Sequence, residues 1–393
     1  MEAWNRKLRM GMVGGGQGAF IGGVHRMAAA LDQQIELVAG CFSRDHGNTL
    51  TTGSQLYPDP SRCYPTYQAM AECEAHLHSD QRIDFVSIVT PNHLHYPVAK
   101  TFLEAGFHVI CDKPMTHRVE EAERLVRLVE QTGLVFALTH NYTGHPLVRH
   151  ARRLFLTGQM GQLRKVIVEY LQDFLMLPHE KHGNKQALWR VDPAQAGIGG
   201  ALGDAGTHAL NLVEYVTGAR VAELCADAST FLSDRALDED ANILLRFDGG
   251  GKGLMAISQI ATGEENALKL RAYASEAALH WEQENPNYLS LHRYGQPRQT
   301  LTRAHGEYLS EEAARATRVP TGHPEGYLEA FANIYCDAAR AIRRHLEGRP
   351  VSPDQYDFPT VHDGLRGVQF VHAAVESAAK GSEWVALAAQ RDG

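Results

Sequence analysis

Lys113 stands in Asp112-Lys113-Pro114, directly after the apolar run Phe107–Cys111. A lysine held between an acid and a proline at the end of a buried strand is poorly explained as a solubility residue. Beside a substrate alcohol its cationic head polarises the oxygen. Asp204 and His208 lie four residues apart in Gly199-Gly-Ala-Leu-Gly-Asp204-Ala-Gly-Thr-His208. On a helix that spacing puts them on one face. An imidazole there takes the proton of a hydroxyl while hydride leaves its carbon, and the carboxylate orients a donor, either the imidazole or Lys113. In isolation the pair reads as a helix-surface pair, with the acid near the N-terminus by dipole preference. The lysine and a glycine-rich segment elsewhere in the chain tip the reading toward chemistry. Lys113, Asp204 and His208 are the candidate catalytic residues, and the same three are candidate substrate contacts.

The glycine-rich segment is Gly14-Gly15-Gly16-Gln17-Gly18-Ala19-Phe20, after the apolar stretch Leu8–Val13 and before helical spacing to Leu31. Gly14 allows a tight turn, Gly16 lets backbone approach a pyrophosphate, and Ala19 is the small residue expected where helix packs on strand. The helix N-terminus supplies positive potential. Gln17, Gly18 and Phe20 complete the expected loop. At the end of the second strand, Ser43-Arg44-Asp45 leaves the choice between NAD and NADP open, with a lean to NAD. Arg44 suits a phosphate, an adenine ring or plain solvation. Thr90 and Asn92, closing the third strand, suit a ribose or a helix cap. His93 and His95 read as capping residues rather than metal ligands, His95 being counted on the cofactor-facing edge with Asp112. No residue set suggests a metal. Asn141 and Tyr142 follow the last strand of this region and are candidates for nicotinamide and substrate respectively.

These residues need a scaffold. Strand and helix alternate with short connections over the first 140 residues, which predicts a doubly wound parallel sheet with its ligand at the carboxyl ends of the strands. The glycine run, Ser43-Arg44, Thr90–Asn92 and Asp112-Lys113 all fall at those ends. Beyond residue 140 strand-like runs dominate, with a helix expected over Asp204–Thr217, so residues 141–393 read as a mostly antiparallel α+β domain. The polar stretch Phe174–Gln195 is long enough to be functional or disordered. Its His182 and Lys185 suit an anionic substituent or simple solvation.

A length of 393 residues favours two domains. The net charge of −8, without a basic run, argues against nucleic acid as a partner. Six cysteines without a C-x-x-C pair read as a reduced, cytoplasmic chain, and no apolar run reaches membrane-spanning length.

On Gly14–Phe20 with Ile21-Gly-Gly-Val-His-Arg26, on Asp112-Lys113-Pro114 and on Gly199–His208, the chain resembles the Gfo/Idh/MocA family of NAD(P)-dependent oxidoreductases, which includes glucose–fructose oxidoreductase and inositol dehydrogenase. The family usually carries Glu-Lys-Pro, where this chain has Asp112. The resemblance implies a Rossmann domain over 1–140. It also implies a large, open, mostly antiparallel sheet in a second domain that builds dimers or tetramers. It assigns lysine, aspartate and histidine, here Lys113, Asp204 and His208, to oxidation of a ring hydroxyl on a sugar, glycoside or inositol. In a subset of the family, a loop like Lys185–Pro193 reaches cofactor and substrate, which makes Trp189 and Arg190 contact candidates; packing and a surface charge are the alternatives. Two other activities stay open: a glycosidase that oxidises, eliminates, hydrates and reduces with recycled NAD, suited to an acidic glycoside, and a non-catalytic NAD(P)-binding sensor.

Overall fold

The computed structural model describes residues 6–56, 59–183, 185–352 and 355–387. The chain divides into two compact units, residues 1–140 with 331–365, and 141–330 with 366–393.

The first unit is built on strands β1 (Leu8–Gly14), β2 (Ile35–Cys41), β3 (Phe85–Val89), β4 (His108–Cys111) and β5 (Phe136–Leu138). All pair in parallel, in the order β2-β1-β3-β4-β5. Helices α1 (Phe20–Leu31), α2 (His46–Leu56), α3 (Tyr67–His76), α4 (His95–Glu104) and α5 (Val119–Thr132) make the crossovers. Strands β3, β4 and β5 are buried along their whole length, as continuous apolar runs require in a sheet covered on both faces. The strand order reverses between β1 and β3, and such a reversal opens a crevice at the carboxyl ends. The expected Rossmann architecture is borne out. α2 is a weakly amphipathic run rich in threonine, glycine and serine, and lacks the apolar spacing that signals a helix.

The second unit holds a nine-stranded sheet: β6 (Leu163–Leu171), β7 (Val221–Ser229), β8 (Asp240–Phe247), β9 (Lys252–Ser258), β10 (Ala267–Ala274), β11 (Ala277–Glu282), β12 (Tyr288–Arg293), β13 (Gln299–Thr302) and β14 (Val385–Ala386). Its order is β13-β12-β11-β10-β6-β9-β8-β7-β14, antiparallel except for β6 beside β9. The helices of this stretch are α6 (Pro146–Leu156), α7 (Lys185–Arg190), α8 (Pro193–Ala196), α9 (Thr207–Thr217), α10 (Glu311–Arg315), α11 (Tyr327–Leu346) and α12 (Val361–Ala379). One core joins α6 and α9 to one face of the sheet, with Leu147, Leu154, Leu210, Val213, Val168, Ile243 and Leu270 at its centre. Each buried leucine or valine contributes about 2 kcal/mol of transfer energy.

Two expectations need correction. Residues 331–365 belong with the first unit, not with the 141–393 domain. The return is a tertiary event: the backbone N–H of Leu138, on the edge strand β5, donates to Pro359 O at 2.8 Å, a pairing no local pattern announces. The expected helix from Asp204 is not one α-helix either. Leu202–Gly206 is a wider π-turn, and α9 starts at Thr207. Such turns insert where a side chain must be re-aimed, often at functional sites.

Burial pushes the imidazoles of His108, His140 and His145 down to about 3, well below the value of about 6.5 in an unfolded chain. Between those values the unfolded state binds more protons. Stability is therefore full above about pH 6.5 and falls as pH falls, by about 1.4 kcal/mol per imidazole per pH unit. The urea midpoint should drop steadily from about pH 7 to about pH 5. A flat or rising midpoint would contradict the buried neutral state.

Candidate active site

In the first unit the glycine loop is shaped by backbone contact. Gly14, Gly15 and Gly18 have φ of 88°, 74° and 84°, a left-handed region that disfavours side chains. A Cβ on Gly14 would sit 2.7 Å from Val89 O, so the ends of β1 and β3 abut directly. A Cβ on Gly16 would lie 2.6 Å from Asn48 Oδ1 and 2.9 Å from Phe42 O. The close helix approach expected of Ala19 is made by Gly22 instead: its Cβ would come within 2.4 Å of Gly15 Cα, while Ala19 caps α1 in extended conformation. The repeated glycine in Ile21-Gly22-Gly23 was the available signal. Arg26 Nη1 donates to Gly15 O at 2.8 Å, and Gln17 N donates to Asn48 Oδ1 at 3.1 Å, which together set the loop. No side chain caps α1 and no acid lies in its first turn, so its N–H groups present positive potential to an anion. Gln17, Gly18 and Phe20 are exposed around that end.

At the next strand end, Thr90 Oγ1 is buried and unpartnered in the protein. Asn92 is buried. His95 is buried, with its Nδ1 2.7 Å from Pro114 O and its Nε2 2.8 Å from Thr90 O, and a neutral ring donates to one of the two carbonyls. Burial pushes this imidazole toward neutrality, while nearby Asp112 and the carbonyls pull the other way. Ser43 Oγ accepts from Asp45 N at 3.1 Å in a local turn, and Arg44 is exposed. Lys113 is half-buried and its peptide to Pro114 is cis. Asp112 Oδ1 accepts from Lys113 N at 2.9 Å and from Thr139 Oγ1 at 2.8 Å. Burial opposes its charge, but His25, Lys113 and His95 outweigh that and hold the carboxyl well below the usual range.

In the second unit, Asp204 Oδ2 accepts from Gln259 Nε2 at 2.9 Å and from Arg190 Nε at 3.2 Å. The Arg190 guanidinium lies 4.4 Å from the centre of the Trp189 ring. His208 packs its ring edge-on to Tyr142 at 4.9 Å, and Tyr142 Oη meets Tyr170 Oη at 2.6 Å. Tyr170 donates to Asn266 Oδ1 at 2.8 Å, Gln172 Nε2 to the same oxygen at 2.7 Å, and Gln259 Nε2 to Gln172 Oε1 at 3.3 Å. Register explains the cluster. Leu171 pairs with Ser258 and with Ala267, so Gln172, Gln259 and Asn266 come together at one end of β6, β9 and β10. The sequence reading missed Tyr170, Gln172, Gln259 and Asn266. The one sequence signal was a polar residue at the end of each strand.

Asp238 anchors the turn before Asp204, accepting from Gly200 N at 2.6 Å and Leu202 N at 2.7 Å. Gly199 and Gly200 serve protein packing rather than ligand approach, since a Cβ on either would strike Val371 Cγ1 at 2.6 Å or Asp238 O at 2.2 Å. The stretch 174–182 is pinned by Arg235, which donates to Leu175 O at 2.6 Å, to Leu177 O at 3.1 Å and to Glu180 at 3.1 Å. His182 is exposed on a short turn, and the side chain of Lys185 lies outside the described residues. Asn141 is buried, with its Nδ2 unpartnered in the protein. Among the described residues no cluster of His, Cys, Asp or Glu could hold a metal, and no helix is long and apolar enough to cross a membrane.

An uncapped helix N-terminus, a glycine turn and an orphaned Thr90 hydroxyl at a β1/β3 switch point fit a dinucleotide, and with the family match to residues 8–140 they make the chain an NAD-binding oxidoreductase of Rossmann type. The chain belongs to the Gfo/Idh/MocA family. The family description "oxidoreductase family, NAD-binding Rossmann fold" matches residues 8–140, and "GFO/IDH/MocA C-terminal domain" matches 148–280. The chain is similar to an inositol dehydrogenase homologue from Azotobacter vinelandii, solved with NAD+, at 38% identity, covering 97% of both chains with a TM-score of 0.93. The same homologue solved with NADH and myo-inositol gives 37% identity and a TM-score of 0.90, covering 97% of this chain and 98% of that one. The Bacillus subtilis (strain 168) oxidoreductase YfiI is 33% identical over 384 residues, 97% of each chain. Levoglucosan dehydrogenase of Pseudarthrobacter phenanthrenivorans is 25% identical over 410 residues, 97% of this chain and 98% of that protein.

Gly22→Ala should weaken NAD binding by about tenfold or more, because the helix must retreat from Gly15 and carry its N-terminus with it. Calorimetric titration with NAD reads this directly; an unchanged Kd in the folded variant would contradict the role of the contact.

Proposed function

We propose that the protein is an NAD-dependent dehydrogenase that oxidises a ring hydroxyl of a sugar, glycoside or inositol. The observation that carries this reading is the polar end of β6, β9 and β10. Two glutamines, an asparagine and two phenols cluster beside Asp204 and His208. Groups that both donate and accept are what a ring bearing several hydroxyls requires. The relatives support it: one is a levoglucosan dehydrogenase, and one homologue was solved with myo-inositol.

NAD, when bound, supplies the hydride acceptor. Gly14–Phe20, Thr90 and Asn92 hold it, with Asn141, Trp189 and Arg190 as further contacts in this reading. Lys113 binds the reacting oxygen and favours its loss of a proton. His208 takes that proton. Asp204 orients the pair, and its own direction is set by Gln259 and Arg190. Tyr142 closes the back of His208, and His182 with Lys185 reads the outer part of the substrate. By family resemblance the working protein is a homodimer or homotetramer, and its scattered cysteines favour a reduced, cytoplasmic location.

The test follows absorbance of reduced nicotinamide with NAD and, separately, NADP against inositols, free sugars and aryl glycosides. Arg44, exposed after β2, makes the NADP arm necessary. Steady accumulation with a polyol is the expected result. Release of phenol from an aryl glycoside without accumulation would overturn net oxidation in favour of a recycled cofactor. On the substrate found, Lys113→Ala should cut kcat by about 10²-fold or more while leaving the Kd of NAD within about threefold. Preserved turnover would remove Lys113 from the chemistry.

A further inference from the structure

A chain of buried polar groups runs under Asp112. Ser87 Oγ lies 2.8 Å from Tyr335 Oη, and Tyr335 Oη lies 2.8 Å from His25 Nδ1. His25 Nε2 lies 3.7 Å from Asp112 Oδ1. Ser87, His25 and Tyr335 are fully buried. They come from β3, α1 and the α11 segment that returns to the first unit. Phe331, one turn earlier on α11, packs against the same imidazole at 4.9 Å.

Electrostatics selects the direction of this chain. If His25 carried its proton on Nδ1 alone, its bare Nε2 lone pair would face a carboxylate. With the proton on Nε2, Nδ1 accepts from the Tyr335 hydroxyl, and that hydroxyl accepts from Ser87. Every dipole then points its positive end toward Asp112. Such a chain polarises cooperatively in a dry interior. Nothing in cofactor binding or proton removal, as described above, uses these three side chains.

We infer that His25 and Tyr335 are positioning residues for Lys113, acting through Asp112: the Ser87–Tyr335–His25 chain keeps the Asp112 carboxylate aimed, and the carboxylate holds the Lys113 backbone and attracts its ammonium. The inference rests on the reading of Lys113 as the group that binds the reacting oxygen. The groups facing Asp112 are His25 from α1, Cys111 and Lys113 beside it, His95 from α4, His140 after β5 and Tyr335 from α11. His95 and Lys113 act on the same carboxylate, so loss of His25 weakens its ionised form without abolishing it. Lys113 and the Thr139 hydroxyl still hold the anion without His25, so the loss falls on the aim of the carboxylate rather than on its charge.

Two variants test this. Tyr335→Phe removes one hydroxyl and keeps the ring. His25→Phe removes both ring nitrogens and keeps the packing against Phe331. The readouts are kcat and KM against pH, the Kd of NAD by calorimetry, and the thermal midpoint. In both variants kcat should fall about tenfold across the pH range, with the shape of its pH profile kept, because Asp112 stays ionised wherever the protein is folded. KM and the Kd of NAD should stay within about threefold. A lowered thermal midpoint with kcat equal to wild type would overturn the inference and leave a purely structural role. If His25→Phe fails to fold, Tyr335→Phe alone decides. Lys113→Ala run alongside separates the two claims. A fully active Lys113→Ala would remove the reading beneath the inference, whereas an inactive Lys113→Ala beside fully active His25 and Tyr335 variants would overturn only the inference.

Discussion

A carboxylate taken out of water must be met by donors, and the rest of this molecule is arranged around that demand. Asp112 collects the Lys113 amide and the Thr139 hydroxyl. Asp204 collects Gln259 and Arg190. Asp238 collects two backbone amides at the turn that delivers Asp204. In each case an unpaired oxygen would cost more than a hydrogen bond contributes. The partners are therefore fixed, and with them the strand ends and turns that carry Lys113 and His208. The same demand explains why α11 returns to the first unit with a tyrosine, since a buried histidine next to Asp112 needs its own second partner.

The glycine loop solves the complementary problem. A dinucleotide brings negative charge, and the first unit meets it with bare N–H groups rather than with a cluster of cations. Leaving α1 uncapped has a cost of about 1 kcal/mol that a bound anion offsets. Arg26 serves the loop from beneath by holding Gly15 O. Positive φ at Gly14 and Gly15 and backbone contact at Gly22 leave no room for side chains, so this corner is specified by what is missing from it.

Much of this was legible in the sequence because it is local. Alternating apolar runs and glycine stops encode parallel strands and their crossovers, and Lys113 and the glycine run mark the strand ends without tertiary knowledge. The 331–365 return was not legible, because its warrant is a pairing between Leu138 and Pro359 across more than half the chain. Gln172, Gln259 and Asn266 stand apart in the sequence and meet only through sheet register. As single polar residues at strand ends they resemble ordinary turn residues. The π-turn at Leu202–Gly206 was hidden because its composition suits an α-helix equally well. His95 shows the same limit: its position on the cofactor edge was legible, but its close approach to the carbonyls of Thr90 and Pro114 was not.

The chemistry rests on one claim, that Lys113 and His208 act on the same oxygen of a polyol. The measurement that tests it most directly is a crystal structure of the protein with NADH and a polyol it turns over. Lys113 Nζ and His208 should both lie about 3 Å from one ring oxygen, with the amides of Gln172, Gln259 or Asn266 on its neighbours. A well-ordered polyol whose reacting oxygen is out of reach of either Lys113 or His208 would contradict the claim.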